Sequence, residues 1–96
     1  MSHTVILELT CNKGAGATLL PGVLASLADT RAYKGCELVE TYVDADDPDH
    51  IILWEKWAAR GNQETYMNWR METGMIEALA PLLAAPPKVI HLTNAD

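Results

Sequence analysis

Residues 50–70 read HIILWEKWAARGNQETYMNWR, and this stretch decides how the rest of the chain is arranged. It holds all three tryptophans of a chain that has no phenylalanine. In its first half, Leu53 and Trp57 point to one side of an extended chain and Ile52 and Trp54 to the other, because strand side chains alternate. Both faces of this strand are therefore apolar. We predict that the strand lies inside a sheet that is covered on both faces.

Composition and charge describe one globular domain over residues 1–96. Of the 96 residues, 49% are hydrophobic and 21% are charged, which is ordinary for a folded domain. The net charge of −6 opposes binding to nucleic acid or to anionic lipid. No apolar run reaches the roughly 18 residues of a membrane span, and no basic segment leads into an apolar one at the N-terminus. We expect a cytoplasmic protein with no nucleic-acid partner and no membrane partner.

Four segments alternate apolar and polar side chains with the period of a strand. They are residues 3–11, 36–43, 50–57 and 88–93. A polar turn, residues 44–49, joins the second segment to the third. Two strands joined by so short a connection are predicted to be antiparallel neighbours.

Helical spacing of apolar residues predicts helices between these strands. The first helix is expected to begin near Thr18 to Leu20, because Pro21 is tolerated only in the first turn. The second is expected to begin after Asn62, which is a suitable N-cap. Gly74 interrupts it, and a third helix follows in which Pro81 should kink or end the regular part.

The order βαββααβ, with antiparallel strands and helices on one side of the sheet, predicts an α+β, ferredoxin-like arrangement. The helices would cover one face of the sheet. Because the third strand is apolar on its other face as well, we expect a second copy of the chain to cover that face. The simplest closed assembly is a homodimer with the two sheets packed face to face.

Short motifs over residues 35–92 carry a family resemblance. They are Gly35-Cys-Glu-Leu, Asp47-Pro48 before a strand that ends in Trp54-Glu-Lys-Trp57, and Leu79-Ala-Pro-Leu-Leu followed by Pro86-Pro87. In these motifs the chain resembles the antibiotic biosynthesis monooxygenase (ABM) family of dimeric α+β barrels; the first strand and helix match only in outline. The resemblance implies a cavity between sheet and helices that accepts a phenol or quinol. Characterised members oxidise such substrates with O2 without metal, flavin or haem, because the deprotonated substrate supplies the electrons.

The resemblance also points to residues on the second helix and at the end of the third strand. Trp57 matches a tryptophan that the family places beside the cavity, although a core position is the alternative. Tyr66 stands where many members have a histidine; its phenol can donate a hydrogen bond to a substrate oxyanion but is a poor base at neutral pH. Trp69 and Arg70 can share a helical face with Tyr66, and a guanidinium there could hold a phenolate. Alternatively, Trp69 is core and Arg70 lies on the surface.

Two positions on the third strand complete the candidate site. Leu53 stands where some characterised members carry an asparagine. Glu55 lies between Leu53 and Trp57 on one strand face, so it is either a cavity carboxylate with a raised pKa that serves as the base or half of a structural ion pair with a cation across the interface. His3, His50 and His91 lie near strand ends, and each is a weaker candidate for the base.

Other features point to structure rather than chemistry. Cys11 and Cys36 have neither zinc nor redox spacing, and we expect them to be reduced; a disulfide is the alternative. Residues 13–18 follow a strand and precede a helix as a phosphate-binding loop does, but they lack its glycine pattern, so a flexible turn is expected. The aspartates of residues 44–49 lack the glycine and the closing glutamate of a calcium loop and are expected to form a solvated hairpin.

Two classes of function remain open on the sequence. The first is a cofactor-independent, metal-free monooxygenase whose partners are a small aromatic substrate and O2, with Tyr66, Arg70 and Glu55 catalytic and with Trp57, Trp69 and Leu53 binding substrate. The second is a homodimeric module of the same fold that binds a small apolar molecule without catalysis. A haem-degrading relative would require a histidine on the second or third helix, and neither helix contains one.

Overall fold

Four antiparallel strands form a single sheet, and the helices cover one of its faces. In the computed structural model, which describes residues 2–96, the elements follow the predicted order. They are β1 (His3–Thr10), α1 (Gly16–Ala32), β2 (Cys36–Asp44), β3 (Asp47–Trp57), α2 (Arg60–Glu72), α3 (Met75–Leu79), a 3-10 turn (Ala80–Leu82) and β4 (Lys88–Leu92). The strand order is β2-β3-β1-β4, with every neighbouring pair antiparallel. The predicted α+β, ferredoxin-like fold is confirmed.

The core lies between the sheet and α1. Alternate residues of β1 and β3 point to the helices and are buried, as the strand period requires. They meet an apolar stripe of α1 formed by Leu19, Val23 and Leu27. A smaller cluster, in which Val5 and Trp57 contact Tyr66, joins the sheet to α2. The cavity described below lies between these two clusters.

Three predicted boundaries are wrong by two to four residues. Helix α1 begins at Gly16, so Pro21 lies in its second turn; residue 21 is exposed, and water can reach the carbonyl that the proline leaves unpaired. Helix α2 begins at Arg60 after Ala59, so Asn62 is inside the helix and is not its N-cap. Strand β3 begins at Asp47 rather than at residue 50, because β2 and β3 pair up to a tight turn.

Gly35 sets the path of the chain from α1 into β2. Its φ of 89° lies in the left-handed region, which favours glycine. A Cβ at this position would lie 2.4 Å from Cγ of Asn62, so the side chain of α2 occupies the space that the glycine leaves open. The glycine therefore serves both the turn and the close approach of α2.

The loop between β1 and α1 is held by a carboxylate. The backbone N–H groups of Gly14 and Gly16 each donate to the side chain of Asp49 at 3.0 Å. These two hydrogen bonds lower the pKa of Asp49. The loop was expected to be a flexible turn, but two of its backbone amides are held by the Asp49 carboxylate of β3.

Two further expectations concern cysteines and membrane segments. Cys11 is buried, Cys36 is half-buried, and both thiols are free, so the disulfide alternative is wrong. Over residues 2–96, no helix has the length and apolar character needed to cross a membrane.

Candidate functional site

A small cavity lies between the sheet and the three helices. Its volume is about 40 Å³. Most of its wall is apolar, and the residues that line it are Leu7, Leu9, Val23, Ser26, Thr30, Leu53, Glu55, Tyr66, Arg70, Met75, Ile76 and Leu79. Four of the six predicted site residues are among them. The polar groups come from three different elements, so the site exists only in the folded chain.

Arg70 is a buried guanidinium held by uncharged partners. Only 7% of the residue is exposed. Its Nε donates to Oη of Tyr66 at 2.7 Å, and its Nη2 donates to the Ser26 carbonyl at 2.9 Å and to Oγ1 of Thr30 at 3.2 Å. Among the described residues, no carboxylate pairs with it and no acceptor contacts Nη1. A buried cation without a counter-ion attracts an anion strongly, because little water screens it.

Tyr66 connects this guanidinium to α1. Its hydroxyl lies 2.7 Å from Oγ1 of Thr30 and accepts a hydrogen bond from Arg70. Either hydroxyl can be the donor in the contact between them; when Thr30 directs its own proton to the Ser26 carbonyl, 3.3 Å away, the Tyr66 hydroxyl donates to Thr30. The hydroxyl that the sequence suggested for a substrate oxyanion is thus occupied within the protein. In this arrangement Tyr66 positions Arg70.

Glu55 places a carboxyl group at the same cavity. It is 2% exposed, and Nε1 of Trp57 donates to its Oε1 at 2.8 Å. Burial raises the pKa of Glu55, and the hydrogen bond from Trp57 offsets part of that effect. No described cation of the chain lies within ion-pair distance of Glu55, and an ion pair across an interface stays a prediction. Oε2 accepts no hydrogen bond from a described residue and is the oxygen that can exchange a proton with a ligand.

The two candidate tryptophans lie behind the cavity rather than in its wall. Trp57 is fully buried and packs against Tyr66, with ring centroids 5.0 Å apart. Trp69 packs on Tyr33 and lies 4.6 Å beneath the Arg70 guanidinium. The residues that the structure brings around the cavity are Leu53, Glu55, Tyr66 and Arg70. Trp57 contacts Glu55 from behind the cavity, and Trp69 contacts Arg70 in the same way.

None of the three histidines lines this cavity. Nε2 of His3 and Nδ1 of His91 are 2.8 Å apart at the edge formed by β1 and β4. His50 lies on the opposite face of the sheet, where Asp44 and Glu8 contact its ring nitrogens. Glu55 of β3 is the carboxyl group in the lining of this cavity.

Sequence reasoning missed the contributions of α1 and α3. Ser26 and Thr30 on α1 hold Arg70 and Tyr66, and α3 supplies Met75, Ile76 and Leu79 to the cavity wall. The sequence contains a pattern that could have indicated Ser26 and Thr30, because these two residues recur at the same helical spacing as the apolar stripe of α1. Two polar residues within an apolar stripe suggest a buried polar contact.

The fold is that of known monooxygenase structures, although the sequence is distant from them. No protein-family model matches the sequence, and a comparison with curated proteins found no match. A crystal structure described as an antibiotic biosynthesis monooxygenase is 20% identical with a TM-score of 0.85, and the match covers 100% of both chains. A candidate antibiotic biosynthesis monooxygenase from Deinococcus radiodurans is 23% identical with a TM-score of 0.83 and matches 100% of this chain and 94% of its own.

A further similar structure comes from Mycobacterium tuberculosis. It is 25% identical, its TM-score is 0.73, and the match covers 100% of this chain and 97% of that one. These likenesses confirm the resemblance to the antibiotic biosynthesis monooxygenase family at the level of the fold.

Proposed function

We propose that this chain is a monooxygenase that oxidises a phenol or quinol with O2 and requires no metal, flavin or haem. The observation that carries the proposal is that Arg70 and Glu55 line one cavity, while neither Nη1 of Arg70 nor Oε2 of Glu55 has a hydrogen-bond partner among residues 2–96. A phenol needs a base to remove its proton and a cation to hold the phenolate that results. The cavity has one group for each task, and most of its wall is apolar.

The proposed reaction begins with transfer of the phenolic proton to Oε2 of Glu55. Its raised pKa makes Glu55 a better proton acceptor than an ordinary carboxylate. Arg70 stabilises the phenolate oxygen, and the electron-rich ring then reduces O2. One oxygen atom of O2 replaces a hydrogen of the ring. The other oxygen atom leaves as water, which carries that ring hydrogen and the phenolic hydrogen, and the ring becomes a quinone. The substrate supplies all the electrons that O2 needs.

The chain is further proposed to act as a homodimer through the open face of the sheet. Ile90, Ile6 and Trp54 form an apolar row across three strands on this face. Trp54 is 36% exposed and Tyr42 49%, which is high for aromatic side chains on the face of a sheet. A second sheet packed on this face would bury both of them.

The dimer is tested by measuring the mass in solution for the protein and for two variants. Trp54→Glu places a charge in the proposed interface and is expected to produce monomers. Leu24→Glu changes a residue of α1 that is 49% exposed, away from the open face, and should leave the dimer intact. A monomeric parent protein, or a Trp54→Glu variant that remains dimeric, would exclude this interface.

A non-catalytic binding module is the second candidate, and the size of the cavity favours it. A volume of about 40 Å³ is far below the roughly 300–1,000 Å³ of sites that enclose a small-molecule ligand. Moreover, the Tyr66 hydroxyl is already engaged by Arg70 and Thr30. In this alternative Arg70 and Glu55 bind an oxygen-bearing ligand without reaction.

Oxygen uptake separates the two candidates. Purified protein treated with a chelator is mixed with dihydroxynaphthalenes and related quinols, and heat-denatured protein gives the background of autoxidation. We expect uptake above this background. Glu55→Gln and Arg70→Met should each reduce the rate by about 100-fold or more, because each removes one of the two groups that produce and hold the phenolate.

A matched control is available on the same helix. Arg60→Met also removes a positive charge from α2, but Arg60 is more than half exposed and pairs with Glu64, which is itself more than half exposed. Its rate should remain within about two-fold of the parent rate. If no substrate gives uptake above background, the binding module becomes the better description. If the three variants lose activity equally, the assignment of Arg70 is wrong.

A further inference from the structure

Two histidines, one from the first strand and one from the last, meet at the edge of the sheet. His91 of β4 lies directly opposite Val5 of β1, and His3 is two residues before Val5 on the same face of that strand. The two rings are therefore diagonal neighbours across the two strands. Nε2 of His3 and Nδ1 of His91 are 2.8 Å apart, and both residues are half-buried, so water and ions can reach them.

The contact between the two rings directs two nitrogen atoms at one point. At 2.8 Å a single proton lies between them, because one ring donates and the other accepts. A metal ion can take the place of that proton, since the nitrogen of a neutral imidazole is a metal ligand. The donor ring then carries its proton on its outer nitrogen, so two neutral rings bind the ion by a change of tautomer and release no proton.

The distance between the two nitrogens indicates which metal ions fit. Adjacent ligands of a square-planar or octahedral ion, at about 2.0 Å from the metal and about 90° from each other, are about 2.8 Å apart. Two ligands of a tetrahedral zinc ion at about the same bond length are about 3.3 Å apart. The observed separation of 2.8 Å matches the first geometry. Cu²⁺ and Ni²⁺ adopt this geometry with imidazole ligands, and Cu²⁺ forms the stronger complexes.

The surroundings of the two rings leave the other coordination positions to water. Among the described residues, no group of three His, Cys, Asp or Glu side chains is arranged to hold a metal ion. The two histidines therefore offer two ligands and an open remainder. Arg60 and Glu64 of α2 are near enough for their charges to act on His91, and they pair with each other at 3.5 Å. An ion beside His91 thus meets charges of both signs.

We propose that His3 and His91 form a binding site for Cu²⁺ or Ni²⁺ that clamps β4 to β1. Strand β4 is an edge strand of five residues that pairs with β1, and its residues are half-buried or exposed. A metal ion that joins two residues 88 positions apart closes a long loop, where such a link stabilises most. The site is separate from the cavity at Arg70 and Glu55, which neither histidine lines, so it does not rest on the proposed function.

The test is a calorimetric titration of the full chain, without an affinity tag and after treatment with a chelator, with Cu²⁺, Ni²⁺ and Zn²⁺ in turn. We expect Cu²⁺ to bind most tightly and Ni²⁺ to bind more tightly than Zn²⁺, because the nitrogen separation suits the first two ions. Electron spin-echo spectra of the Cu²⁺ complex count the imidazoles on the ion, and two are expected. Absence of binding, a single imidazole on the ion, or Zn²⁺ bound more tightly than Ni²⁺ would overturn the proposal.

Three variants make the titration specific. His3→Gln and His91→Gln should each weaken Ni²⁺ binding by about ten-fold or more, since removal of a ligand costs at least as much as removal of a ligand's hydrogen-bond partner. His50→Gln is the matched control and should leave the affinity unchanged. Asp44 and Glu8 contact different nitrogens of the His50 ring, so the two carboxylates cannot share one ion with it. If the affinity falls in His3→Gln but not in His91→Gln, the ion is held by β1 alone and the proposal is wrong.

Hydrogen exchange followed by mass spectrometry tests the clamp itself. With free Ni²⁺ at about 100 times its Kd, the β4 amides that exchange when β4 separates from β1 should exchange about 100-fold more slowly, because the ion binds only the closed form. In His91→Gln the same concentration of Ni²⁺ should not change the exchange of β4. If Ni²⁺ binds to the parent protein but does not slow the exchange of β4, the ion does not clamp the strand.

Discussion

Removal of the Tyr66 hydroxyl tests whether the network around Arg70 is a single unit. In Tyr66→Phe, two hydrogen bonds of 2.7 Å disappear, one from the Arg70 guanidinium and one with Thr30. A neutral hydrogen bond stabilises a protein by about 1 kcal/mol and one to a charged group by about 1.5–3 kcal/mol. We therefore expect the free energy of unfolding to fall by about 3 kcal/mol.

The same substitution should have a much smaller effect when Arg70 is already absent. In Arg70→Met, the charged hydrogen bond is gone, so Tyr66→Phe then removes only the bond with Thr30, worth about 1 kcal/mol. The difference between the two backgrounds is a coupling energy of about 2 kcal/mol, which a double-mutant cycle isolates. Residues that act independently would give coupling energies below about 0.5 kcal/mol.

Urea unfolding at one fixed protein concentration measures these free energies. With a slope of about 1.5 kcal/mol per molar urea, the midpoint of Tyr66→Phe should fall by about 2 M. Tyr33→Phe is the matched control: Tyr33 packs edge-on against Tyr66, and its hydroxyl makes no hydrogen bond with a described residue. Its effect should stay within about 0.5 kcal/mol. If the Tyr66 and Arg70 substitutions are additive, the two residues do not form a network.

Three further predictions concern pH and backbone geometry. Burial raises the pKa of Glu55, so the folded chain keeps the carboxyl proton of Glu55 at a pH where the unfolded chain has released it. The free energy of unfolding therefore falls as pH rises from the ordinary carboxyl range through the raised pKa. In thermal unfolding between pH 4 and 8, the stability of Glu55→Gln relative to the parent protein should therefore increase as pH rises. A stability difference that does not change with pH would contradict this. The hydrogen bond to Asp44 raises the pKa of His50 above 6.5, so its stabilising effect is present below pH 6.5 and is lost as pH rises through the raised pKa. His50→Gln should flatten the pH dependence of stability there; an unchanged slope would show that this contact is not populated in solution. Gly35→Ala should destabilise by about 2 kcal/mol or more, because its φ is positive and the new Cβ would lie 2.4 Å from a side-chain carbon of α2. Gly61→Ala, in a helix with open space around it, should instead stabilise by about 0.5–1 kcal/mol in urea unfolding; equal effects at both positions would refute the geometric argument.

The order of elements was predictable because its signals are local. Alternation of side chains along residues 50–57 identified the central strand, and the short polar turn before it indicated an antiparallel neighbour. The boundaries were less predictable. Pro21 and Asn62 were assigned from their preferences at helix ends, but α1 begins at Gly16 and α2 at Arg60, so both residues lie inside their helices.

The candidate site was predictable as far as its contacts lie within one element. Glu55 and Trp57 are two residues apart on one strand, and Tyr66 and Arg70 are four apart on one helix, so their spacing already places each pair together. The same spacing could not show that Trp57 and Trp69 lie behind the cavity. Their position depends on how α2 packs against the sheet.

The sequence by itself therefore determined the α+β fold, the face on which each strand residue lies, and the two local pairs at the candidate site. The tertiary structure alone decided that α1 supplies Ser26 and Thr30 to Arg70, across 44 and 40 positions of the chain. It also decided that α3 supplies Met75, Ile76 and Leu79 to the wall of the cavity. The physical reason is that periodicity specifies the direction of a side chain within its own element, whereas contacts between elements depend on how the helices pack on the sheet, which no local pattern encodes.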